Sequence, residues 1–269
     1  MSPIIHPMSV VDSKARLADG VRIGPFCTVG PDVVLGEGVE LVSHVAVAGR
    51  TTIGARTAVY PFASLGHPPQ DVKYRGEPST LTIGVDCKIR EGVTMNPGTE
   101  GGGMKTVVGD RCFFLANSHV GHDSLVGNGV IFSNNVMCAG HVTVGDFVIV
   151  SGGAGLQQFV RIGHHAFIGG GAGVLNDVIP FGMVRDNPAH LAGLNLVGLR
   201  RRGFTREQIH ELRRAYRLLF ADEGTLSERV EDVGGEFADH PLIQEILGFI
   251  RMGGDRAICM PHDVNAPDR

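Results

Sequence analysis

Counting in sixes from Ile5, the chain places an apolar side chain at every step, through Val11, Leu17, Ile23 and Val29 and on to Leu65. With 43% hydrophobic residues overall, an unbroken run of this length has a chance probability on the order of 10⁻³. The count resumes at Ile83, Ile89 and Met95. It runs again from Val108 through Phe114, Val120, Val126, Phe132 and Cys138 to Val174. A period of six fits neither a helix of 3.6 residues per turn nor a simple alternating strand. It predicts a short strand and a turn, repeated, with one aliphatic residue per repeat pointing inward. Three such repeats close a triangular coil of about 18 residues, and stacked coils bond to each other at about 4.8 Å spacing. Glycine often follows the inward residue, as at Gly24, Gly30, Gly36, Gly54 and Gly66. That placement suggests a tight corner needing glycine's backbone freedom.

The count breaks twice. From Leu65 to Ile83 the spacing is that of one complete coil, yet the intermediate steps are Asp71 and Glu77, which cannot be core. A loop over about 66–82 is expected. The second break, between Met95 and Val108, contains Asn96-Pro97-Gly98-Thr99-Glu100 and three glycines, giving a loop over about 96–107. Long loops on a regular scaffold are usually functional or mobile. After Pro180 the count stops. Thr205 with Gln208 and Thr225 with Glu228 are capping boxes, and His240-Pro241 opens a third helix. The expected organisation is a β-solenoid over 1–190 and a small helical domain over 191–269.

Composition sharpens this picture. Trp is absent and Gly reaches 39 residues, which suits an aliphatic core with many turns. A net charge of −4 argues against a nucleic-acid binder. No apolar run is long enough for a membrane span, and the N-terminus lacks a secretory pattern. A cytoplasmic protein without stable membrane insertion is expected. The five cysteines form no CxxC pair and read as reduced, buried thiols.

The polar residues that stand out sit on the later coils. At one coil's spacing, His122 lies beneath Gly140 and Gly140 beneath Gln158, with His119 and His141 alongside. Asp123 follows His122 directly. An imidazole beside a carboxylate is equipped to act as a general base. A glycine one coil above can present a bare N–H to a developing oxyanion. This is equipment for attack of a sugar hydroxyl on a thioester. A second constellation runs from Arg200 to Arg217, where seven arginines face two glutamates. It suits nucleotide phosphates or an acidic carrier protein.

Five segments now carry a resemblance: Gln70-Asp71-Val72-Lys73-Tyr74-Arg75-Gly76-Glu77-Pro78, Ala116-Asn117-Ser118-His119-Val120-Gly121-His122-Asp123, Gly140-His141, Gly198-Leu199-Arg200-Arg201-Arg202-Gly203-Phe204, and the six-residue repeat itself. Together they resemble the UDP-N-acetylglucosamine O-acyltransferase family, which opens lipid A biosynthesis. The resemblance implies an all-β left-handed parallel β-helix followed by a small C-terminal helical domain, assembled as a homotrimer with active sites between subunits. It implies transfer of an (R)-3-hydroxyacyl chain from acyl carrier protein to the 3-position of a UDP-linked amino sugar, with no metal or other cofactor. Carried over by motif, His122 is the base, Asp123 its support and Gly140 the oxyanion donor. Gln70, Asp71, Lys73, His119, His141 and Gln158 surround the sugar and diphosphate. Asn195, Arg201 and Arg202 serve the nucleotide end. Gly170 falls at the acyl-length ruler, and a glycine there implies a longer chain. Three positions depart from the family pattern: Gln157 and Asn96 where His is common, and Val197 in place of an acid.

Other readings compete. A 3-amino sugar acceptor would give an amide instead of an ester. His119, His122 and His141 could together hold zinc, as in trimeric carbonic anhydrases of this fold. A related N-acyltransferase of the same pathway would carry an N-terminal uridine-binding domain, whereas the repeats here begin at Ile5. A non-catalytic scaffold is the remaining alternative.

Overall fold

The computed structural model of the chain describes residues 1–262. They wind into a left-handed parallel β-helix of three sheets with eleven, nine and eight strands. The first face begins with Ile4–Ile5, the second with Val10–Val11 and the third with Arg16–Leu17. Ile5 pairs with Ile23, Val11 with Val29 and Leu17 with Leu35, so each residue lies under the one eighteen positions later. Most strands are only two residues long. The second residue of each points inward, and from Ile23 to Val174 these side chains are buried.

A second inward column accompanies the first. Val21, Cys27, Val33, Val39 and Val45 stand two residues before the strand position and are buried as well. Residues two apart on extended backbone face the same way, so each repeat contributes two core side chains where the sequence pattern suggested one. Narrow residues occupy this column because it lies in the corner of the triangle. Cys27, Cys87 and Cys112 belong to it, and all five cysteines are buried and unpaired.

The interval from Leu65 to Ile83 is not a complete coil. Ile53 pairs directly with Ile83, a coil stretched to thirty residues, and Ile83 with Val108, a coil of twenty-five. Each break is therefore one step between faces with the surplus chain extruded. The strands Thr80–Ile83 and Lys105–Val108 reclaim the ends of the expected loops, leaving 66–79 and 96–104. Both loops leave at the edge between the second and third faces, on successive coils.

Of the corner glycines, Gly66 has the left-handed backbone expected (φ 78), but Gly24 and Gly54 have a different cause. There the residue with left-handed backbone comes two positions later, at Phe26 and Arg56. Gly24 instead passes so close to the coil above that a Cβ would run into the Val42 carbonyl oxygen, and one on Gly54 would stand 2.5 Å from the Gly84 carbonyl carbon. Close stacking excludes the side chain there.

Beyond the regular coils, Gly182–Arg185 adds a strand to the first face and His190–Leu194 pairs with it antiparallel. Neither was visible in the six-residue count. Four helices follow: α1 (Leu196–Arg201), α2 (Arg206–Leu219), α3 (Leu226–Glu236) and α4 (Pro241–Met252). Thr205 and Thr225 close full capping boxes with Gln208 and Glu228, and α4 opens on Pro241 after His240. α1 escaped the sequence reading because its six residues are too short for a helical period. No helix among the described residues is long and apolar enough to cross a membrane.

Replacing Gly54 by Ala should cost about 1–3 kcal/mol through overpacking against the neighbouring coil. Thermal melts of G54A beside the natural chain measure it, and an unchanged transition would contradict the stacking argument.

Candidate active site

Four successive coils put a polar turn at the edge between the second and third faces. The third turn residue on each of the last three has left-handed backbone: Asp123 (φ 59), His141 (φ 63) and Phe159 (φ 68). Side chains in equivalent positions stack. The His141 ring lies on Phe159 at 4.5 Å between centroids, nearly parallel, and meets the edge of His122 at 4.9 Å. Gly140 passes directly over the His122 ring, so that a Cβ there would stand 2.6 Å from both Cε1 and Nε2. Among the described residues nothing accepts from the Gly140 N–H.

Asp123 does not join the ring stack. Its carboxylate is fully buried and turns back under the second loop. Oδ2 lies 2.9 Å from His122 Nδ1. Thr99 donates its backbone N–H to both oxygens, at 2.9 and 3.0 Å, and its hydroxyl to Oδ2 at 2.6 Å. With Nδ1–H donated to the carboxylate, the open nitrogen of His122 is Nε2, the one beside Gly140. Imidazole, carboxylate and the bare Gly140 N–H thus converge on one spot.

The same geometry weakens the zinc reading. The only metal-capable group among the described residues joins His122, Asp123 and His141, not the expected three histidines. His119 is held by Thr94, with Nδ1 2.7 Å from Oγ1. Asp123 has both oxygens occupied on the far side of His122. Within one chain, two imidazoles are left to face such an ion.

Of the remaining expected residues, Gln70 and Lys73 are exposed on the first loop, where the Lys73 N–H donates to Asp71 at 2.9 Å. Burial lowers the pKa of His141, an effect that Asp123, Asp71 and Asp255 oppose and His122 reinforces. Burial likewise lowers that of His119. Gln158 is exposed one coil above Gly140, and its carbonyl accepts from Arg256 at 3.0 Å.

Asn195, Arg201, Arg202 and Gly170 lie elsewhere on the prism. Arg202 sits over the Phe147 ring and donates to its carbonyl at 2.7 Å, at the edge between the third and first faces. Phe147, His165 and Phe181 form that edge's ring stack, with Phe204 against it. Arg201 and Arg202 border a cavity of about 670 Å³ over the first face, floored by the outward side chains Ile149, Phe167 and Met183 and walled by Leu196 and Val197. Gly170 stands at the first-to-second edge beside that face. A Cβ there would meet Gly152 O at an ordinary 3.5 Å and Ser151 Cβ at 4.0 Å, so packing within the chain does not demand glycine. The Asn195 amide is committed to the fold: it caps α1 by accepting from the Gly198 N–H and donates to the His165 carbonyl. Its expected contact with the nucleotide is therefore not made by a free side chain. On a triangular prism the first face is opposite the His122 edge, so one chain does not bring these residues to the base.

Residues 177–259 match the family model described as Udp N-acetylglucosamine O-acyltransferase, Domain 2. The chain is 67% identical over 266 residues to the acyl-[acyl-carrier-protein]–UDP-N-acetylglucosamine O-acyltransferase of Methylobacterium radiotolerans, covering 99% of this chain and 98% of that one. This chain belongs to that family. The Azorhizobium caulinodans enzyme of the same name is 52% identical over 96% of this chain and 95% of its own. LpxA from Acinetobacter baumannii superimposes with a TM-score of 0.92 at 38% identity, over 95% of this chain and 99% of that one.

Within this O-acyltransferase family pattern, the three departures have distinct structural settings. Asn96 is buried and its amide donates to the His67 and Pro68 carbonyls, so it ties the second loop to the first instead of facing a ligand. Gln157 is exposed at the His122 edge, and Val197 is 57% exposed on the wall of the apolar cavity. The sequence reading missed Thr99. The signal was present in the break after Met95, but only the twenty-five-residue register places Thr99 beside Asp123.

The ring stack at the edge between the third and first faces yields a pH prediction. Burial, with repulsion from His164 and Arg202 and an opposing pull from Asp146, brings the His165 imidazole down from 6.5 to about 4. The unfolded chain takes up a proton first, so this group's contribution to stability is complete above about pH 6.5 and is lost as pH falls toward 4. Partial exposure keeps it below the full linkage value. Melts between pH 7 and 4 should show a shallower acid loss for His165→Phe than for the natural chain; equal slopes would remove His165 from the cause.

Proposed function

We propose that this protein transfers an (R)-3-hydroxyacyl group from acyl carrier protein to the 3-hydroxyl of UDP-N-acetylglucosamine, the first step of lipid A biosynthesis, as a cytoplasmic homotrimer. The observation that carries the reading is the His122 ring held between the Asp123 carboxylate and the unpaired Gly140 N–H. His122 Nε2 takes the proton of the sugar hydroxyl as its oxygen attacks the thioester carbonyl. Asp123 stabilises the imidazolium that forms. The carbonyl oxygen, now negative, accepts from Gly140 N–H. Collapse of the tetrahedral intermediate breaks the C–S bond, and the departing thiolate takes the proton from His122. Atoms and charges balance without a metal. Asp71, Lys73, Gln70, His119, His141 and Gln158 bind the sugar and diphosphate, Arg201 and Arg202 the nucleotide end.

A second copy is needed because the dyad and the apolar cavity lie on opposite sides of one prism. A threefold arrangement sets the His122 edge of one subunit against the first face of the next. The acyl chain then runs along Ile149 and Phe167 toward Gly170, where the missing side chain leaves room for a long chain. Arg200, Arg206 and Arg213 make no ion pair with any described residue, and this basic surface on α1 and α2 suits an acidic carrier protein.

Mass spectrometry of product formed from defined 3-hydroxyacyl carriers, with UDP-N-acetylglucosamine and its 3-amino analogue in competition, should show the ester. An exclusively amide product would transfer the assignment to the amino sugar. His122→Ala should lower turnover by about 10²–10⁴-fold. Mixing subunits tests the shared site. His122→Ala and Arg202→Ala chains, each impaired alone, should recover roughly a quarter of natural activity when co-assembled, since each mixed trimer regains one intact interface. No recovery would place the whole site within one subunit.

A further inference from the structure

The buried carboxylate of Asp123 makes contacts that the acyl-transfer chemistry above does not use, and most come from one residue of the second loop. Thr99 is 5% exposed and contributes both its N–H and its hydroxyl. The loop around it is shaped for this approach. A Cβ on Gly98 would stand 2.7 Å from Asp123 Oδ1, and one on Gly102 would collide with the carboxylate itself. The loop closes on itself through Thr99, whose carbonyl accepts from the N–H groups of Gly102 and Met104 at 3.1 and 3.0 Å. From the other side the Asp123 N–H donates to Thr106 Oγ1 at 2.8 Å. Asp123 is thereby held in left-handed backbone with its side chain turned away from the His141–Phe159 stack.

We propose that Thr99 is a positioning residue for acyl transfer: its hydroxyl fixes Asp123 Oδ2 against His122 Nδ1 and so keeps His122 in the tautomer whose free Nε2 faces Gly140. Oδ2 is the oxygen that receives both the Thr99 hydroxyl and the imidazole. A carboxylate free to rotate would offer either oxygen, or neither, to Nδ1. The imidazole would then populate the tautomer protonated on Nε2, which cannot accept the sugar proton. Thr99 touches neither substrate nor reacting atom, so it acts only through Asp123. The same loop holds the first loop through Asn96, which links the alignment of the base to the segment carrying Asp71 and Lys73.

This inference rests on the general-base role of His122, and its test separates the two. Thr99→Val keeps the backbone N–H and the shape but removes the hydroxyl. It should lower kcat about 10–100-fold with KM changed less than about threefold, while Thr99→Ser should stay within about threefold of the natural enzyme. In parallel, nitrogen NMR of histidine-labelled protein, assigned by loss of the signal in His122→Asn, should show the His122 Nε2-protonated tautomer rising in Thr99→Val and not in Thr99→Ser. The spectroscopic arm needs no substrate, so it judges Thr99 even if acyl transfer to the UDP sugar proved absent. A Thr99→Val enzyme with natural kcat and natural tautomer would overturn the proposal. So would a Thr99→Ser enzyme as impaired as Thr99→Val, because serine keeps the hydroxyl and the hydroxyl would then not be what preserves the alignment.

Discussion

In-register pairing between successive coils is the constraint on which this molecule depends. Two-residue strands bond to the strands above and below at one strand spacing, and the coil above leaves no space for a Cβ at Gly24 or Gly54. No single coil has a core of its own; each buries its inward side chains against its neighbours. The consequence for chemistry is that residues eighteen apart become neighbours without any special arrangement. Gly140 lies over His122 because the chain pairs Met137 with His119.

Regular stacking alone would give three equivalent edges, and two of them do look alike. Phe26, His44 and Phe62 stack at one, Phe147, His165 and Phe181 at another. The edge carrying His122 is different because both long insertions leave there. The second loop lies against the turn immediately above it and offers Thr99 to the residue whose backbone is left-handed. Asp tolerates that conformation better than most side chains, and here its carboxylate is drawn under the loop instead of outward to the stack. The site is a local exception to the repeat, supported by the repeat on the coils beneath and above.

The fold was largely legible in the sequence because a six-residue period over most of the chain leaves few alternatives. The capping boxes at Thr205 and Thr225 marked two helix starts for a similarly local reason. What stayed hidden depended on register across the insertions. Asp71 and Glu77 marked the interval from Leu65 to Ile83 as a loop, but its length of a full coil hid the register in which the ladder resumes, which the pairing of Ile53 with Ile83 gives. Thr99 and the partner of Asn96 escaped for the same reason, since Asp123 and His67 lie across that shifted register. The roles of Gly24 and Gly54 were misassigned because crowding and left-handed backbone both select glycine, and sequence shows the residue without its cause.

The division of the expected site residues between opposite sides of the prism follows from triangular symmetry. An edge and the face opposite it are separated by the full hydrophobic core, and no side chain of Arg202's reach crosses it. In a parallel trimer this separation becomes an adjacency, because the edge of one prism faces the side of the next. The apolar floor of Ile149, Phe167 and Met183 lies beside Arg201 and Arg202, on the side of the prism away from the His122 edge. A long acyl group needs the floor while its thioester needs that edge. A single subunit therefore keeps the two groups of residues apart, and in the proposed trimer they would meet across the subunit boundary.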